Sequence, residues 1–191
     1  MKNIFETYGK KTTPVRLTIY DAEELLKKGY EYYCGEDYKY LDEYVEIAKW
    51  LSDTQGKGLL LIGANGRGKS VFCAKILPAI LASMRVKHTL VPATKMSQYI
   101  RKNAELANIM LSDFLIIDDF GVEGVMNEYG EKRAVFSELV DDAEREGRVI
   151  VASTNLTIAE IEEKYGKRTL DRLHSLTTCV SFTGESMRRY K

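Results

Sequence analysis

The run Gly63-Ala64-Asn65-Gly66-Arg67-Gly68-Lys69-Ser70 constrains this chain more than any other feature. It reads as glycine, four residues, then Gly-Lys-Ser, and it joins an apolar strand pattern at 58–62 to an apolar helix pattern at 70–84. Glycines let the backbone curl so that successive N–H groups point inward at phosphate oxygens, and Ala64 is small enough not to obstruct. The helix that begins near Ser70 adds the positive end of its dipole. In this setting Lys69 reaches the β and γ phosphates of a nucleoside triphosphate, ATP being the expected one, and the Ser70 hydroxyl holds magnesium. A glycine-rich turn matching by chance would need neither the strand before it nor the helix after it. All eight residues, Gly63, Ala64, Asn65, Gly66, Arg67, Gly68, Lys69 and Ser70, are therefore expected to hold the nucleotide. The Arg67 side chain either touches phosphate or, more simply, points into solvent.

A loop of this kind needs a sheet to carry it, and the sequence supplies one. Apolar strand patterns recur at 86–91, 114–117, 149–152 and 178–182. Between them lie helical patterns at 94–102, 128–146, 158–165 and 167–176, and Pro78 is expected to kink the helix at 70–84. Apolar strands alternating with helices predict an α/β fold, a five-stranded parallel sheet covered on both faces. The chain divides at about Gly56. Residues 56–191 form the core, and residues 1–55 a helical extension. In that extension one helix is expected at 21–33 with Asp21 as N-cap, and another at 38–52 with Leu41, Tyr44, Val45, Ala48 and Leu51 at helical spacing.

Further signals fall at the ends of later strands. Phe114-Leu115-Ile116-Ile117 ends in Asp118-Asp119, and parallel strands share one C-terminal edge where ligands bind. Asp118 is expected to orient the magnesium shell and Asp119 to position or activate water. Alone, the pair could be an acidic loop closing a strand; beside a phosphate loop it reads as chemistry. Val149-Ile150-Val151-Ala152 runs into Ser153-Thr154-Asn155, whose amide could meet the γ phosphate or the attacking water. The same three residues are also an ordinary helix N-cap. Arg168 and Arg172 lie at i, i+4, with Lys164 and Lys167 nearby. They form either a solvated face or an arginine that reaches a neighbouring subunit's γ phosphate.

Charge and cysteine usage narrow the setting. Net charge is zero, so no overall basic field advertises nucleic acid. Locally, residues 85–104 hold five basic residues and no acidic one, with Tyr99 among them, a composition suited to single-stranded DNA as well as to a solvated helix face. Cys34, Cys73 and Cys179 are too far apart for a disulfide framework or a zinc site, which favours a reducing compartment. Neither a signal peptide nor an apolar run of membrane-span length is present, so a cytoplasmic protein without membrane contact is expected.

Phosphate loop, Asp-Asp strand and Asn strand are followed by Tyr165-Gly166-Lys167-Arg168, Asp171-Arg172-Leu173 and Phe182-Thr183-Gly184-Glu185-Ser186-Met187-Arg188-Arg189. In this order the blocks resemble the DnaC/IstB-like branch of AAA+ ATPases, over roughly residues 57–189. That branch includes bacterial and phage replicative helicase loaders and transposition helper ATPases. The resemblance implies an ATP- and magnesium-dependent ATPase of DNA replication whose partner is a replicative helicase. It also implies that Asn155 senses the nucleotide and that Arg172, or second Arg168, is an arginine finger working through self-association. A stand-alone P-loop kinase acting on a small molecule is the alternative of a different class. The sequence departs from the branch in two ways. Asp119 stands where many members carry glutamate, one methylene longer, which predicts slow hydrolysis. With the fifth strand so near Lys191, no C-terminal helical lid is expected, and Arg188 or Arg189 would have to replace a lid arginine.

Overall fold

Leu59, Leu60 and Leu61 have no exposed surface, and that fixes their strand, β1 (Gly58–Gly63), at the inside of the sheet. A computed structural model describes residues 13–35, 38–96, 109, 111–123, 126–128, 131–133 and 135–187. In chain order β1 is followed by β2 (His88–Pro92), β3 (Phe114–Phe120), β4 (Met126–Glu128), β5 (Glu131–Arg133), β6 (Val149–Thr154) and β7 (Thr177–Phe182). Five of these make one parallel sheet in the order β2-β3-β6-β1-β7, and β4 and β5 pair separately as an antiparallel hairpin. The expected five-stranded parallel α/β sheet is thus what forms. Neither neighbour of β1 is the next strand in sequence, so the chain crosses over on leaving it and opens a crevice at its C-terminal end.

Side chains along each strand alternate between two cores, as a period of two requires. Leu59, Leu61, Phe114, Ile116, Val149, Val151, Val180 and Phe182 face one core. Leu60, Ile62, Leu115, Ile117, Ile150 and Ala152 face the other. Both faces are covered, which is why these strands read as continuous apolar runs.

Helices α1 (Ala22–Cys34) and α2 (Asp42–Ser52) bury Leu26, Tyr30, Tyr44, Ile47 and Leu51 in the first of these cores. Asp21 does stand at the N-cap position of α1, but its side chain caps nothing. The second helix starts at Asp42, four residues later than expected, because Leu41 is extended. After the loop come α3 (Lys69–Val71), a π-helical turn (Phe72–Ile76) and α4 (Leu77–Ser83). Pro78, at the start of α4, has no N–H to give back, and the wider turn just before it takes up that mismatch, with the Leu77 N–H reaching Phe72 O.

The remaining elements lie largely where the patterns put them. Helix α5 (Val135–Glu146) begins seven residues later than expected. Its apolar period starts only at Val135, and the hairpin β4–β5 occupies part of the stretch before it. Helices α6 (Ile158–Tyr165) and α7 (Lys167–Leu176) match the expected bounds. Of the helix expected at 94–102, a short 3-10 turn spans Ala93–Lys95, and most of the remainder lies outside the described residues. No helix among the described residues is long and apolar enough to cross a membrane.

Candidate functional site

The loop between β1 and α3 is built on backbone that tolerates no side chain at two points. Gly63 has φ +119, and a Cβ there would stand 2.1 Å from Phe182 O of the neighbouring strand. Gly68 has φ +87, and a Cβ would stand 2.4 Å from the Tyr44 hydroxyl. Inside the curl, Lys69 is only 5% exposed. Its ammonium donates to Gly63 O at 2.6 Å, Ala64 O at 2.7 Å and Asn155 Oδ1 at 3.0 Å. A buried ammonium is tolerable only with its charge shared among such acceptors. The phosphate oxygens of a nucleotide would meet the same need.

Asn155 connects that lysine to the carboxylates. Its amide nitrogen donates to Asp119 Oδ1 at 2.7 Å while its oxygen accepts from Lys69. The expectation that Asn155 belongs to the site therefore has a geometry: one amide spans the ammonium and a carboxylate. The helix after it is capped elsewhere. Thr157, not Ser153-Thr154-Asn155, forms the N-cap of α6 in a reciprocal capping box with Glu160.

Strand β3 does not stop at Ile117 as expected but continues through both aspartates. Ile117 pairs with Ala152 and Phe120 with Thr154, so three steps on β3 oppose two on β6, which is a bulge. Asp119, with φ +61, takes the left-handed conformation that this extra residue demands. The bulge separates the two carboxylates. Asp118 Oδ1 accepts from the Ser153 hydroxyl at 2.7 Å, and the same oxygen of Ser153 accepts from Asp119 N–H at 2.9 Å. Asp119 is left facing Asn155. Ser153, which is 1% exposed, was not singled out as a site residue; the only sign was a hydroxyl at the end of an apolar strand.

Lys69, Asn155 and Asp119 border a cavity of about 600 Å³, whose lining does not include Asp118 or Ser153. Asn65, Gly66, Gly68, Lys69, Ser70, Asp119 and Asn155 line one part, and Cys34, Tyr38, Lys39, Tyr44 and Met187 another. The polar part suits phosphate and the more apolar part suits a base. Ser70 and Asp118 offer a hydroxyl and a carboxylate, the hard oxygen donors magnesium takes. No cluster of three or more His, Cys, Asp or Glu suited to a metal exists among the described residues.

One expectation, that for Arg67, is corrected. The Arg67 side chain points neither into solvent nor to the phosphate cavity. It bonds Glu43 of α2 through Nε at 3.1 Å and Nη2 at 2.6 Å, and donates to Glu185 O at 3.2 Å. Its side chain is 12% exposed. Arg172 is likewise engaged within its own chain, where Nε donates to Glu144 at 2.6 Å and Nη1 to Asp141. Arg168 shares Asp141 at 3.3 Å but is far more exposed, 75% against 22% for its side chain. Neither arginine lines the cavity. Tyr99, Arg101 and Lys102 of the basic stretch, and Arg188 and Arg189, lie outside the described residues.

The N-terminal helices meet the loop directly. The rings of Tyr30 and Tyr44 stack with centroids 3.8 Å apart, and their hydroxyls donate to Gly68 O at 3.4 Å and Arg67 O at 3.1 Å. Burial pushes both phenols well above their ordinary pKa, so they stay protonated donors.

The model of the IstB-like ATP binding protein family matches residues 14–191. Among solved structures, DnaI superimposes with a TM-score of 0.61 at 19% identity, over 80% of this chain and 88% of that one. The DnaC helicase loader does so with a TM-score of 0.65 at 14% identity, over 82% and 99% of the two chains. AMPPCP-bound DnaA from Aquifex aeolicus gives 0.52 at 14% identity, over 65% and 40%. No curated protein sequence matches.

Proposed function

Because the chain belongs to the IstB-like ATP binding protein family, we propose that it binds ATP with magnesium on residues 63–70 and hydrolyses it as a DNA-replication accessory of the helicase-loader type. The observation that carries this reading is the hydrogen-bonded line Lys69–Asn155–Asp119 along the cavity, with Asp118 held beside it by Ser153. In this reading the amides of Gly63, Ala64, Asn65, Gly66, Arg67 and Gly68 surround the phosphates, and Lys69 exchanges its carbonyl partners for β and γ oxygens. Ser70 and Asp118 hold magnesium, which would neutralise phosphate charge. Asp119 orients the attacking water, and Asn155, bonded to it, reads whether a γ phosphate is present.

In this reading an arginine from a second copy, Arg172 or second Arg168, meets the developing charge. Arg172 can serve only by leaving Asp141 and Glu144, and Arg168 gives up less to do so. Turnover should therefore be slow in dilute protein and rise with assembly. Likeness of fold to the DnaC helicase loader supports a replicative helicase as the partner, and the basic stretch at 85–104 supports single-stranded DNA as a second ligand.

Phosphate release, followed as protein concentration is raised and with single-stranded DNA or a hexameric helicase added, tests the proposal. Specific activity should climb with each, and Arg168→Ala plus Arg172→Ala together should remove the climb. Full turnover in a strictly monomeric sample, or transfer of phosphate to a small molecule instead of water, would overturn it.

A further inference from the structure

Glu43 is a carboxylate on a helix outside the sheet, only 9% exposed, yet it bonds to two segments that flank the cavity, the phosphate loop and the chain after β7. Its Oε1 accepts from Arg67 Nε and Nη2, at 3.1 and 2.6 Å, and from Thr183 N–H at 3.1 Å. Arg67 is a residue of the phosphate loop, and Thr183 follows β7. The two are joined further along. Arg67 Nη1 donates to Glu185 O at 3.2 Å, and Met187 N–H donates to Gly66 O at 3.1 Å. The segment after β7 is thereby laid against the loop, and Ser186 and Met187 reach the cavity. From the α2 side, the Tyr44 hydroxyl next to Glu43 holds Arg67 O.

We propose that Glu43 is a positioning residue for the nucleotide site. Through Arg67 it fixes the outer side of the phosphate loop, and through Thr183 it fixes the segment that closes the cavity over Gly66. Three bonds converge on one buried carboxylate oxygen, and its loss frees the loop and the closing segment together. A group that orients others in this way acts on affinity without touching the ligand. Burial works against the Glu43 charge, but backbone N–H bonds and the Arg67 guanidinium outweigh it and hold the carboxyl below its usual range, so the link is intact at neutral pH. Since Glu43 and Tyr44 sit on α2, any load that moves α2 is passed to the loop. The proposal rests on the reading of residues 63–70 as the nucleotide site.

The test is titration of the full chain with a fluorescent ATP analogue and magnesium, well below the melting temperature. Wild type, Glu43→Gln, Arg67→Lys, Glu43→Arg, Arg67→Glu, the exchange that combines the last two, and Lys69→Ala are compared. Glu43→Gln should raise the dissociation constant about tenfold. Arg67→Lys, which keeps the charge but loses the fork, should raise it severalfold. The exchange should bind more tightly than either Glu43→Arg or Arg67→Glu alone. Lys69→Ala separates the two levels: if it binds like wild type, the site reading fails, whatever Glu43 does. If Lys69→Ala abolishes binding while Glu43→Gln and Arg67→Lys retain wild-type affinity, the positioning role is overturned. A lowered melting temperature with unchanged affinity would likewise mean a structural contact and overturn the proposal.

Discussion

Single side chains decide how the two aspartates differ. Asp118 and Asp119 are adjacent in sequence and chemically identical, yet the bulge sends one to Ser153 and the other to Asn155. Ser153→Ala leaves Asp118 without its donor and Asp119 N–H without its acceptor. It should cut ATP turnover about tenfold and raise the magnesium concentration needed for half-maximal rate, with little change in nucleotide affinity in the absence of magnesium. Steady-state rates across a magnesium series check this. Spacing alone located the glycines, Lys69 and the Asp pair, because those residues are set by local backbone and by the ends of strands. It did not locate Ser153, Glu43 or the true course of Arg67. Each acts through a partner on another element, 35, 24 or 140 residues away in Ser153–Asp118, Arg67–Glu43 and Thr183–Glu43, and no local period records such a pairing.

Elements place those side chains, and their ends matter more than their middles. Asn155 stands in the turn between β6 and α6, two residues before the capping box of Thr157 and Glu160. Thr154, fully buried, holds the other side of that turn by donating to Phe120 O at 2.6 Å and accepting from Leu156 N–H at 3.1 Å. Thr157→Ala should cost about 1 kcal/mol of folding stability, read by urea denaturation, and leave the cavity's chemistry in place. Strand and helix order was readable because apolar runs and 3.6-residue spacing are strong over these lengths. The boundaries were less readable where polar chemistry extends an element. β3 continues through its carboxylates because a bulge lets it, and α5 starts late behind a hairpin that carries no apolar period.

At the scale of the whole molecule, one sheet edge gathers residues from every part of the chain. β1 gives the loop, β3 the carboxylates, β6 the amide and hydroxyl, and the segment after β7 a wall. Helix α2 and the connection before it complete that wall with Tyr44 and Tyr38. In the positioning role proposed for Glu43, movement of α2 on the core is passed to this site. Every role assigned to these residues requires first that the loop at 63–70 hold nucleotide through Lys69. The direct measurement is calorimetric titration of ATP with magnesium into wild type and Lys69→Ala, with circular dichroism to check that the fold is kept. One saturable site per wild-type chain, lost in Lys69→Ala with its fold intact, is the predicted result. Equal affinity in the two proteins would contradict the account.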